Sequence, residues 1–132
     1  MIILNRRSEI TLKAFEAVAW RGDAVALAPA ALERMAGSRA AFLRLIDDPA
    51  VTVYGVTSGY GGRAGQRLKP EERKAHAAVP NHATAVTFGE PFPKRVTRGF
   101  VLARLANFIE GHAAVRSKLA ESVAAMLSRG SL

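Results

Sequence analysis

Apolar residues recur along this chain at two spacings, and the change from one to the other outlines its elements. Leu12, Phe15 and Ala19 share one face at helical spacing, behind Thr11 as a candidate N-cap and ahead of Gly22 as a stop. Residues 23–27 form a short link, briefly extended through Val25, Ala26 and Leu27. Pro29 suits the first turn of a second helix, whose stripe runs Leu32, Met35, Ala36, Phe42, Leu43 and Ile46. Asp47, Asp48 and Pro49 end it, because a proline disfavours helix in the residue before it.

Beyond Pro49 the period shortens. Val51, Thr52 and Val53 are β-branched and suit an extended segment, which then meets Tyr54 and glycines at 55, 59, 61 and 62. The segment should therefore bend into a loop. A third helix starts at Pro70 with an acidic first turn, Glu71 and Glu72, and is interrupted at Pro80. After a turn over residues 88–93, a fourth helix is predicted over 94–110 with Val101, Leu105, Phe108 and Ile109 on one face. A fifth over 114–128 carries Val115, Leu119, Val123 and Met126, with Gly130 as its end. The pattern predicts a mainly α chain with one or two short strands and a glycine-rich tyrosine loop. The short link at 111–113 predicts an antiparallel pair or sharp corner between the last two helices.

Composition narrows the options. A chain of 132 residues, about half of them apolar, fits a single domain over 1–132 with a real core. No apolar run approaches a membrane span, and Met1 to Leu4 is too short for the core of a signal peptide, so no membrane role is expected. Cysteine is absent, which removes disulfides and thiolate metal sites and fits a cytoplasmic protein. The net charge of +8 has two readings: a nucleic-acid binder, or one part of an assembly whose other parts carry the acid. The basic residues are scattered, without the interleaved aromatics of single-strand binders, and the assembly reading is preferred.

Candidate chemistry begins with Tyr54. A tyrosine hydroxyl moves protons usefully when positive charge or hydrogen-bond donors favour its phenolate, and Arg63 and the glycine amides share its loop. A packed tyrosine in a hairpin turn fits the same residues. Among the three histidines, His76 falls in a charged helix and carries little weight, and His112 after Gly111 suits a helix C-terminus. His82, between a helix-breaking proline and small residues, could face a cavity, although a structural role is commoner for such a residue. No ligand spacing points to a metal, and the glycines match neither a phosphate-binding loop nor a nucleophile elbow.

Residues 53–61, Val-Tyr-Gly-Val-Thr-Ser-Gly-Tyr-Gly, resemble the tyrosine-loop signature of the aromatic amino acid ammonia-lyases, the family of histidine, phenylalanine and tyrosine ammonia-lyases and related aminomutases. The usual form is Tyr-Gly-[Val/Ile/Leu]-[Thr/Asn]-Thr-Gly-Phe-Gly; Ser58 replaces the second threonine and Tyr60 the phenylalanine. Residues 10–12, 27–39 and 104–127, with Gly111-His112-Ala113-Ala114-Val115-Arg116, resemble the family's N-terminal region in the same order. The resemblance implies Tyr54 as the acid/base group and Gly61 and His82 as substrate contacts, with Gly55, Thr57, Ser58, Gly59 and Tyr60 supporting the loop. A hydrogen-bonding His82 would favour a polar ring, because a buried donor left unpaired penalises the wrong substrate.

The family's electrophile is a methylidene-imidazolone, made by cyclising an Ala-Ser-Gly triplet placed a short way past the last helix here. No such triplet occurs in this sequence. The resemblance then implies a hetero-oligomer: this chain supplies the tyrosine loop, and a second lyase chain carries the prosthetic group and completes the site for an amino acid substrate. Alone, the chain is expected to be inactive. A truncated fragment, a non-catalytic or regulatory paralogue, and a small basic helical nucleic-acid-binding protein are the alternatives.

Overall fold

The computed structural model describes residues 1–78, 86 and 88–130. Its contacts divide the chain into two compact units, Met1–Ala41 with Pro91–Leu132 and Phe42–Glu90. The chain is mainly helical: β1 (Ile2–Leu4), α1 (Leu12–Ala19), β2 (Val25–Leu27), α2 (Pro29–Asp47), α3 (Pro70–Ala78), α4 (Lys94–Ile109) and α5 (Ser117–Arg129), with single 3-10 turns at Arg7–Glu9 and Gly61–Arg63. None of the described helices is long and apolar enough to cross a membrane.

In the first unit β1 and β2 pair in parallel, Ile2 opposite Val25 and Leu4 opposite Leu27, with α1 in the crossover. Two strands are marginal on their own. These persist because α5 packs against β2 and Ser128 Oγ accepts the Val25 N–H at 3.0 Å. The core gathers Leu4, Val18, Val25, Met35, Leu102, Leu105, Ile109 and Leu127 with Ala31, Ala120 and Ala124. Each fully buried leucine contributes about 1.5–3 kcal/mol relative to exposure.

Thr11 caps α1 as expected, its side chain accepting the Ala14 N–H at 3.2 Å. The α4–α5 pair is in contact, and Gly130 closes α5 in the left-handed region at φ 70°. The buried faces are the main departure. Leu12 is 90 % exposed, whereas Ala17 and Val18 point inward beside Ala19, which is buried as expected. In α5 Leu119 and Met126 face outward, and Ala120, Ala124 and Leu127 are buried. Small residues win these positions because the elements approach closely: a Cβ on Gly99 of α4 would sit 2.9 Å from the Phe15 ring of α1. The last helix begins at Ser117, three residues later than its periodicity suggests, after Ala114 takes a positive φ of 48°.

Polar side chains tie the helix ends together. Arg98 on α4 is 4 % exposed and donates to Val18 O at 2.6 Å, Leu127 O at 2.8 Å and Asp23 O at 3.1 Å. Arg34 on α2 donates to Ile109 O at 3.0 Å and to Asn5 O. Near the N-terminus, Glu9 accepts the Asn5 and Arg6 amides and Glu110 accepts the Arg7 amide. These backbone donors favour the ionised form and hold both carboxyls below the ordinary glutamate range, with help from nearby arginines.

Candidate functional site

The tyrosine loop lies in the second unit, between the end of α2 and the start of α3. Residues 51–53 join no strand. Instead the Val53 carbonyl accepts the amides of Val56, Thr57 and Ser58 at 3.1, 2.9 and 3.3 Å, and its own N–H donates to Thr57 Oγ1 at 2.7 Å. Thr57 is fully buried, so one hydroxyl clamps the turn from inside. The expected short strand is thereby replaced by a tight turn. Its carbonyl is engaged three times, which uses up the backbone that a ladder would need.

A second crossing closes the loop. Ser58 is buried and bridges Arg67 in antiparallel fashion, with Gly59 N–H on Gln66 O at 3.0 Å and Leu68 N–H on Thr57 O at 2.9 Å. Gly59 is required by contact, since a Cβ there would lie 2.7 Å from both Cβ and O of Arg63. Gly55 and Gly61 are required by conformation, with φ of 69° and 59°.

This frame leaves Tyr54 at the tip, 65 % exposed. Its phenol oxygen accepts the Gly61 N–H at 3.1 Å, which leaves the hydroxyl's own proton for another partner. Two residues singled out as substrate contact and acid/base group thus meet directly. Tyr60 does not contact Tyr54 in this way; its ring lies 5.1 Å from the His76 imidazole.

His76 corrects the expectation that it is an idle residue on a charged helix. Its Nε2 lies 3.0 Å from the Gly55 carbonyl, an acceptor, so this nitrogen carries the hydrogen. One turn earlier on α3, Arg73 donates to Leu68 O at 3.2 Å and Ile46 O at 3.1 Å, joining the ends of α2 and α3. The three-residue spacing puts Arg73 and His76 on one face of α3, and that spacing was the signal available in the sequence. A cavity of about 570 Å³ is lined by Ile46, Gly55, Val56, Tyr60, Lys74 and Ala77, together with these two residues. Arg73 and Lys74 give it a positive field, which suits a carboxylate. His82 lies outside the described residues.

Among the described residues no three histidines, aspartates or glutamates gather as a metal site. The residues here do not fit a methylidene-imidazolone either. The chain's one Ser-Gly step follows Thr57 instead of alanine. Cyclisation would need the Gly59 amide to attack the Thr57 carbonyl, but that amide donates to Gln66 O and that carbonyl accepts from Leu68.

Comparison with known proteins bears on this geometry. The family model described as aromatic amino acid lyase matches residues 10–132. A histidine ammonia-lyase of Deinococcus radiodurans is 30% identical across 99% of this chain and 24% of its own length. One from Bacillus cereus is 28% identical across 81% of this chain and 21% of its own. The tyrosine aminomutase of Streptomyces globisporus superposes with a TM-score of 0.75 at 29% identity, covering 91% of this chain and 23% of the aminomutase. An ergothionase from Treponema denticola gives 0.79 at 21% identity over 98% of this chain and 26% of its own, a likeness of fold. The chain spans about a quarter of the length of the curated relatives it matches.

Proposed function

The chain belongs to the aromatic amino acid lyase family, and from that premise we propose that it supplies the acid/base tyrosine loop of an ammonia-lyase-type site. The reaction is the non-oxidative elimination of ammonia from an aromatic or histidine-like amino acid. A second lyase chain, bearing the Ala-Ser-Gly-derived electrophile, completes the site, and this chain by itself is inactive.

The observation that carries this reading is the setting of Tyr54. The family's signature tyrosine stands exposed at a loop tip whose backbone is over-determined, with a backbone N–H aimed at the phenol oxygen. A donor in that position stabilises negative charge developing on the oxygen as the proton leaves. Tyr54 then takes or returns a proton on the amine or β-carbon side of the substrate. Gly61, through the same amide, keeps the phenol oriented. The positive field of Arg73 and Lys74 draws in the substrate carboxylate, and His82 contributes to the choice of ring.

The test is Tyr54→Phe in the assembly isolated with this chain. The variant should assemble normally and lose about 10²–10⁴-fold in turnover, the usual weight of a general acid/base group. Turnover at the wild-type level would end the assignment. Mass spectrometry of the co-purifying chain, searched for a dehydrated Ala-Ser-Gly triplet, checks the source of the electrophile.

A further inference from the structure

The hydrogen bond from the Gly61 amide to the Tyr54 phenol joins an exposed side chain to a glycine. Gly55, the residue after the tyrosine, and Gly61 both take positive φ, and no neighbouring atom lies within 4 Å of where a Cβ would stand on either. Packing at these two glycines therefore does not fix the bond, and glycine is the residue that most readily leaves one backbone conformation for another.

His76 on α3 reaches both flanks of that bond. Its Nε2–H donates to the carbonyl of Gly55 at 3.0 Å. Its ring meets that of Tyr60, the residue before Gly61, with centroids 5.1 Å apart and planes inclined by 45°, a favourable aromatic arrangement. The helix that carries it is held at the base of the loop, because Arg73, one turn earlier, donates to Leu68 O at 3.2 Å and Ile46 O at 3.1 Å. The imidazole is half-buried, where a hydrogen bond is stronger than in open water.

We propose that His76 is a positioning residue for the proton transfer at Tyr54, a role that rests on the lyase reading of that tyrosine. One imidazole holds Gly55 on one side and Tyr60 on the other, and so keeps the phenol oxygen in line with the Gly61 amide. It touches no reacting atom in this role. Its loss should therefore lower kcat, where alignment matters, and leave KM near its wild-type value.

The assembly isolated with this chain gives the first measurement. His76→Leu should lose about tenfold or more in kcat, for the hydrogen bond and the ring contact together, with KM changed by less than about twofold. His76→Gln, which still carries a donor for Gly55, should recover part of that loss. Tyr60→Leu removes only the ring contact and should lose about fivefold. In a Tyr54→Phe background His76→Leu should cost nothing further, because its effect passes through the phenol. The second measurement needs no partner chain: the Gly61 amide proton of the full chain, followed by NMR, should move upfield in Tyr54→Phe and in His76→Leu, and no further in the double variant. Wild-type turnover in Tyr54→Phe ends the lyase reading and this role with it. Four results end this role alone: turnover lost in Tyr54→Phe but kept in His76→Leu, a rise in KM in place of the fall in kcat, an equal loss with and without the phenol, or a Gly61 amide proton that His76→Leu does not move.

Discussion

Replacing Arg98 with methionine removes a buried cation while keeping an unbranched side chain of similar reach. It strands three carbonyls. Val18 and Leu127 lie in the last turns of α1 and α5, where helix carbonyls lack an onward amide, and Asp23 lies in the following link. Hydrogen bonds from a charged donor contribute about 1.5–3 kcal/mol each, but three sharing one side chain do not add. A buried carbonyl left without a donor costs about 1–3 kcal/mol, so three of them, short of full additivity, give about 3–5 kcal/mol for the set. For a chain of this length that lowers Tm by about 10–20 °C. Urea unfolding followed by circular dichroism would measure it. Arg98→Lys keeps the charge but not the planar fork, and should lose less than Arg98→Met. A loss below about 1 kcal/mol in Arg98→Met would refute the claim that this residue joins the helix ends, since even one stranded buried carbonyl costs that much.

Two further outcomes are expected. His76→Leu removes the donor to the Gly55 carbonyl, so the Gly61 amide on Tyr54 should exchange about fivefold faster, for a tie of about 1 kcal/mol. His76→Gln should largely restore protection, and unchanged exchange in the leucine variant would discard the tie. Glu9 and Glu110 titrate below the ordinary range in the folded chain. Their contribution is present above the unfolded value, near pH 4.3, and is lost as pH falls through their depressed folded values. Glu9→Gln with Glu110→Gln should thus be less stable than wild type at pH 7, with the gap closing in acid. A carboxyl resonance titrating at or above the ordinary value would contradict this.

Element order was legible because its signals are local. Thr11 as a cap, Pro29 and Pro70 at helix starts and Gly130 as a left-handed stop each act through the few residues beside them. The resemblance carried by residues 53–61 was legible for the same reason, as a contiguous run whose glycines the loop does require at 55, 59 and 61. Hydrophobic spacing went astray where inter-element distance decides burial. Leu12, Leu119 and Met126 match a stripe but face outward, while Ala17 in α1 and Ala120 and Ala124 in α5 are buried in their place.

The sequence by itself determined the order of the helices and most of their ends, α5's start at Ser117 excepted, and which tyrosine stands on a glycine-hinged loop. Only the tertiary structure decided the pairing of β1 with β2, the burial of Arg98 among three carbonyls, and the reach of His76 to Gly55 across 21 residues. Those contacts join residues far apart in the chain. Their free energy depends on distance and desolvation, which no local pattern of residue types encodes.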